Sequence, residues 1–189
     1  MNISFISNAL VASTKIFIDK YVGLYEEILS YPVRRSHILF GKLIFNLILS
    51  FAQAVVMIAF VAAITGNIEL NWYRIILLVL VLALGSSTWF FSMVILAVKL
   101  KTQDAFNTAY FLIMTPIVFT SSIYYPVNRL PSVLKFLGYA NPLSWMTDIG
   151  RDIYLGVPTS ELSLKVIGLV ALLIISSIMS IRMFAKGIK

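Results

Sequence analysis

The chain has 189 residues, 60% of them hydrophobic and 12% charged, with a mean hydropathy of +0.94. Soluble domains carry about 25% charged residues, so a water-soluble fold is excluded and an integral membrane protein is implied. The net charge is +7, and the absence of cysteine removes disulfide and thiol chemistry. Most of the positive charge sits at the ends of apolar runs, which points to topology and anionic headgroups rather than nucleic acid. A helical crossing takes about 20 apolar residues, leaving room for about four or five crossings.

Residues 1–18 are apolar but broken by Asn2, Ser4, Ser7, Asn8, Ser13, Thr14 and Lys15. They predict a partial or tilted membrane helix ending near Asp19, without the basic start and long apolar centre of a secretory signal. Residues 19–36 are the sizeable charged segment between apolar runs that also patterns as a short helix. At about 100° per residue, Val22, Tyr25 and Leu29 share a face with Ile28 at its flank, and Glu26 and Glu27 sit beside it. Pro32 removes a backbone donor and disfavours helix at Tyr31, and Arg34 and Arg35 follow directly. Such a platform at a membrane face suits a connector lying in the lipid interface or a docking element for a soluble partner.

The first long span is predicted at residues 38–64, with Lys42 near its start able to snorkel towards the headgroups. Asn46, Ser50 and Gln53 fall on one face of it, at i, i+4 and i+7. Amides in hydrocarbon are costly unless bonded, so this stripe should face protein or water: a helix interface or a translocation path. A polar turn follows, and Trp72 and Tyr73 form an interfacial pair before a second span at 75–98. Gly85, Thr88 and Ser92 line one side of that span with small groups suited to close packing. A third span is predicted at 105–124, with Pro116 freeing the Leu112 carbonyl inside it.

Residues 125–158 have a different character. Pro126, Pro131, Pro142 and Pro158 punctuate two short amphipathic pieces, about 132–139 and 142–155. Asn141-Pro142 is an N-cap and first-turn pair, and Gly156 is a C-terminal stop. Trp145, Ile149 and Ile153 can dip into the membrane while Asp148, Arg151 and Asp152 stay polar. These helices are too short to cross, so a re-entrant or surface hairpin is expected. The last span is predicted at 162–184. The fold class is therefore all-α integral membrane: four spans, a partial N-terminal one, an interfacial platform helix and a re-entrant hairpin.

Basic residues set the orientation. Lys15, Lys20, Arg34, Arg35, Lys42, Lys99, Lys101, Arg182, Lys186 and Lys189 fall on one side, and Arg74, Arg129, Lys135, Arg151 and Lys165 on the other. The positive-inside rule puts the 19–42 platform and the C-terminus in the cytoplasm of a multi-pass plasma-membrane protein, with the 125–158 hairpin outside.

The sequence carries no catalytic set and no metal-ligand spacing, and His37 stands alone as the one histidine. Gly41-Lys42 matches the end of a phosphate-binding loop, but Ser36 stands where its first glycine belongs and Leu43 where its Ser/Thr does. ATP cannot bind by that route.

The run Glu26-Glu27-Ile28-Leu29-Ser30-Tyr31-Pro32-Val33-Arg34-Arg35, followed by Gly41-Lys42, resembles the cytoplasmic signature of type-2 ABC exporter permeases. Ser121-Ser122, Tyr125-Pro126, Leu130-Pro131, Asn141-Pro142-Leu143, Arg151 and Gly156 are similar, in order, to that family's outer-hairpin landmarks. The resemblance runs from about Tyr21 to the C-terminus. It implies the membrane subunit of an ATP-driven exporter, paired with a second permease copy or homologue. It also implies a separate ABC ATPase subunit, docked through a coupling helix with Tyr25, Glu26, Glu27, Leu29, Pro32 and Arg34. No cofactor is then bound directly, ATP acting through the partner. Members of that family have six spans, so the first would be missing here and residues 1–18 would be the remnant of the second. A non-transporting scaffold or assembly subunit that keeps the fold is the alternative; a membrane-embedded enzyme lacks any nucleophile, base or metal set.

Overall fold

The structure is a computed structural model and describes residues 2–21, 27, 35–65, 71–124, 127, 131–156 and 159–186. Among the described residues there are seven helices of eight or more residues and no strand. They are α1 (Asn2–Tyr21), α2 (Arg35–Thr65), α3 (Trp72–Lys99), α4 (Gln103–Thr120), α5 (Ser132–Ala140), α6 (Pro142–Leu155) and α7 (Leu162–Lys186).

Three of these are long and apolar enough to cross a membrane: α2 over Arg35–Phe60, α3 over Trp72–Lys99 and α7 over Leu162–Phe184, with mean hydropathies of 2.3, 2.2 and 2.4. The count of four full spans is not reproduced. The stretch expected at 105–124 folds as α4, 18 residues that open on Gln103, Asp104 and Asn107. Thr102 caps its start, accepting from the Ala105 amide at 3.2 Å, and at Ser121 the backbone turns extended. α1 is one unbroken helix of 20 residues that runs past Asp19 to Tyr21. At 1.5 Å per residue it is about 30 Å long, but it is not one of the three helices apolar enough to cross.

α3 is the axis of the bundle. Gly85, Ser86, Thr88, Trp89, Phe90, Phe91, Met93, Val94 and Ala97 are all buried, so this part of the helix is enclosed on most sides. One core cluster joins Ala9, Ala12 and Ile16 of α1, Leu39 of α2, Phe90 and Val94 of α3, Met114 of α4, Leu143 of α6 and Phe184 of α7. On α1 the spacing 9, 12, 16 puts two alanines and Ile16 on one helical face, turned into the core. In a bilayer there is no water to exclude between helices. Close van der Waals packing of this kind is what holds them together.

A second cluster joins Ala54, Val81, Met146, Ile149 and Leu169, with Trp145 and Ile153 packed against it. This corrects the expectation that Trp145, Ile149 and Ile153 enter the lipid. α6 is seated between α3 and α7, with Met146 and Ile149 each 1% exposed. Glycines make the seat. A Cβ at Gly85 would overlap the Met146 thioether, and one at Gly168 would lie 3.0 Å from the Trp145 ring. It is α5 that faces outward, through Leu134, Phe136 and Leu137.

Candidate functional site

The sequence singles out three groups of residues, of which the polar stripe and the hairpin landmarks are the ones that the described residues place on the bundle. Of the docking set, Tyr25, Glu26, Leu29, Pro32 and Arg34 fall outside the described residues, while Glu27 is helical and exposed. The structure does define where the segment is anchored. Asp19 near the end of α1 and Lys42 in α2 form an ion pair, both side chains about four-fifths shielded. Lys42 therefore has a carboxylate partner in addition to any snorkelling. One helical turn further into the bundle, the Lys15 ammonium sits 4.7 Å from the centre of the Phe45 ring.

Asn46, Ser50 and Gln53 come together in a polar cluster that sequence reasoning only half found. Asn46 donates through Nδ2 to the Ser86 hydroxyl at 2.9 Å, and the hydroxyls of Ser50 and Ser86 are 3.1 Å apart. Asn8 and Gln53 form a reciprocal amide pair. Asn8 Nδ2 donates to Gln53 Oε1 at 2.8 Å, and Gln53 Nε2 donates to Asn8 Oδ1 at 3.2 Å. Asn8 Nδ2 also lies 3.5 Å from the Ser50 hydroxyl. Asn8, Asn46, Ser50 and Ser86 are buried, whereas Gln53 is exposed on the outer side of the cluster. Among the described residues, Asn46 Oδ1 has no hydrogen-bond partner.

The two members missed from the stripe, Asn8 and Ser86, left only faint signals. Asn8 is one of several polar interruptions of the first run, and Ser86 sits beside Gly85. The antiparallel register of α1 and α2 brings Asn8 to Gln53, while Ser86 reaches Asn46 and Ser50 from α3. Moving eleven residues along each helix carries the pair Asn8–Gln53 to the pair Asp19–Lys42. Beside the cluster a cleft of about 140 Å³ opens between α2 and α3, lined by Leu47, Ser50, Phe51, Ala54, Val79, Leu82 and Ala83. The cluster holds only amides and hydroxyls. It can offer hydrogen bonds inside the bilayer, but no side chain in it ionises in the physiological range, so it cannot do acid–base chemistry.

The hairpin is held by a small number of well-placed polar groups. Asn141 works in two directions at once. Its Oδ1 accepts from the Leu143 amide at 2.9 Å as the N-cap of α6, and its Nδ2 donates to the Ile117 carbonyl at 2.6 Å and to Thr120 Oγ1 at 3.2 Å. Pro142 follows at the first helical position. Ser122 donates through its amide to Ser144 Oγ at 3.1 Å and through its hydroxyl to the Ser144 carbonyl at 3.3 Å. Arg151 reaches the Ile123 carbonyl at 3.4 Å from an exposed position. Pro131 opens α5, its carbonyl taking the amides of Leu134 and Lys135 at 2.9 Å; Pro126 lies outside the described residues.

The far end of α6 is closed with equal care. Gly156 takes φ +71°, the left-handed conformation of a helix stop, and the Arg74 guanidinium lies where a Cβ would project. Arg74 donates to the Tyr154 carbonyl at 3.3 Å. Asp152 accepts from the Thr159 hydroxyl at 2.6 Å and from its amide at 3.1 Å. Lys165 joins Asp148 at 2.9 Å and Glu161 at 3.3 Å. Among the described residues there is no group of three His, Cys, Asp or Glu side chains able to hold a metal.

A family model described as "ABC-2 type transporter" matches residues 1–155. Among curated relatives, the chain is 26% identical over 151 residues to the probable multidrug ABC transporter permease YbhR of Escherichia coli strain K12. That alignment covers 77% of this chain and 39% of the relative. It is 25% identical over 153 residues to the putative transport permease ycf38 of Cyanophora paradoxa, covering 78% of this chain and 51% of that one. The chain thus spans between about two fifths and one half of the length of these relatives. The matched region takes in the platform, the polar cluster and both hairpin helices on a bundle built for the bilayer, and the chain belongs to the ABC-2 type transporter family of membrane permeases.

Proposed function

We propose that the chain is a membrane-spanning permease subunit of an ATP-driven ABC exporter, forming a translocation path as a dimer and driven by separate ATPase subunits. The observation that carries this is the family match across residues 1–155, which includes the acidic platform. The names of the relatives, a multidrug ABC transporter permease and a transport permease, support the same reading. The charge distribution supports a cytoplasmic platform and C-terminus. Segment 19–36 is then the coupling element, and the Asp19–Lys42 pair beside it would pass its movement into α1 and α2 together.

The experiment is a charge reversal in the platform. Glu26→Lys with Glu27→Lys should lower recovery of the co-expressed ATPase from mild detergent at least about fivefold, as expected when complementary charge at an interface is inverted. Membrane insertion should be unchanged, since neither residue belongs to a span. Full recovery of the ATPase by the reversed chain would refute docking at this platform.

A further inference from the structure

We propose that α4 and α6 make one broken crossing of the bilayer, joined inside the hydrocarbon by the Asn141 side chain, so that the two helices move as one body. The depth follows from how α6 lies along α3. Gly156 is beside Arg74 and Met146 beside Gly85, so ten residues along α6 match eleven along α3 in the opposite direction. Five residues further, the same register brings Asn141 level with about Phe90, and Leu143 shares a core cluster with that ring. Phe90 is nine residues, or about 14 Å, from Lys99 at the end of α3. In hydrocarbon about 30 Å thick, that is close to mid-depth.

Two helix ends therefore meet where there is no water. The last carbonyls of α4 and the first amides of α6 have no partners in their own helices, and in a bilayer protein must supply them. A continuing α4 would bring the Ser121 amide to the Ile117 carbonyl, but that amide goes to Val118 at 3.2 Å. Asn141 Nδ2 takes the vacated place on Ile117, while Oδ1 of the same side chain accepts from the Leu143 amide. One residue thus caps the end of one helix and the start of another. It is buried, as are Thr120, Ser121 and Ser122 around it, so the joint is shielded from lipid. The Ser122–Ser144 bonds lie past the end of α4 and hold the turn rather than the helix. A displacement of α4 is then carried through Asn141 to α6 and its seat on Gly85 and Gly168. The joint does not depend on the exporter reading.

The absence of native cysteine allows a direct test on the full chain. Leu112→Cys with Tyr154→Cys puts spin labels on exposed positions of α4 and α6. Diluted with unlabelled chain in lipid nanodiscs and read by pulsed electron resonance, this pair should show one distance. Asn141→Ser keeps a good N-cap for α6 but is too short to reach Ile117 as well. A second, longer distance should then appear, the parted fraction rising about threefold or more, as loss of a side-chain bond between membrane helices implies. Asn141→Ala should part the helices to the same extent and also speed amide exchange at Leu143, which the serine variant leaves slow. A Leu80→Cys with Ile174→Cys pair, exposed on α3 and α7, should keep its distance in both variants. One unchanged distance between α4 and α6 in Asn141→Ser would overturn the joint and leave Asn141 a cap of α6 alone. Equal exchange at Leu143 in the two variants would overturn the double cap from the other side. Movement of the α3–α7 pair would overturn it too, because a local joint leaves the rest of the bundle in place.

Discussion

The Asn8–Gln53 pair shows how a single residue is judged differently in a bilayer and in water. Asn8 is 7% exposed, and without Gln53 its amide would keep, among the described residues, the 3.5 Å contact to Ser50. A buried amide left without a partner costs about 1–3 kcal/mol, whereas measured side-chain bonds between membrane helices average about 0.6 kcal/mol with a maximum near 1.7. The smaller figure applies here, because Gln53 is exposed and can find other partners in the unpacked state. Gln53→Leu should therefore lower stability by about 1 kcal/mol, and adding Asn8→Leu should cost less than the sum of the two single changes. Thermal unfolding in a defined detergent checks this; full additivity would mean that the two amides do not support each other.

At the scale of elements, what could be read in the sequence was local and what could not was relational. Asn141-Pro142 and Gly156 act within one turn of their own helix, so the ends of α6 were visible as capping chemistry. The neighbours of α6 were not visible, because a stripe of Trp145, Ile149 and Ile153 looks the same whether it faces lipid or protein. The deciding features, Gly85 and Gly168, are far away in sequence and become a seat only when α3 and α7 stand side by side. The end of α4 was misplaced for a related reason. Apolar residues continue past Thr120, but Ser121 bonds back to the Val118 carbonyl at 2.7 Å and Ser122 is claimed by Ser144 across the hairpin. Asn8 and Ser86 do not show in the pattern of any one helix, because the cluster is shared among three.

At the scale of the whole molecule, composition alone established a helical membrane bundle, since 60% hydrophobic content leaves no soluble alternative. The number of crossings was harder, because α1 and α4 are neither fully apolar nor clearly interfacial and each gains burial from its neighbours. Orientation is a property of the molecule as a whole, and it can be measured on this chain with little background. With no native cysteine, an introduced thiol is the only one. Val157→Cys, in the hairpin region, should react with a membrane-impermeant maleimide in intact cells, and Thr102→Cys between α3 and α4 only after permeabilisation. The opposite pattern would invert the molecule and remove the platform from the reach of a cytosolic ATPase.

The antiparallel register of α1 and α2 bears on chain continuity. Contacts at Asn8–Gln53 and Asp19–Lys42, with the small-residue face of α1 in the core, grip that helix along most of its length. The peptide that joins α1 to α2 then determines how often the two meet, while their fit decides whether they part. A protease site placed between Glu27 and Ile28 and cut after purification should leave both fragments eluting as one particle on size exclusion. Departure of the short fragment would mean that α1 is merely tethered, and that the polypeptide itself supplies the missing hold.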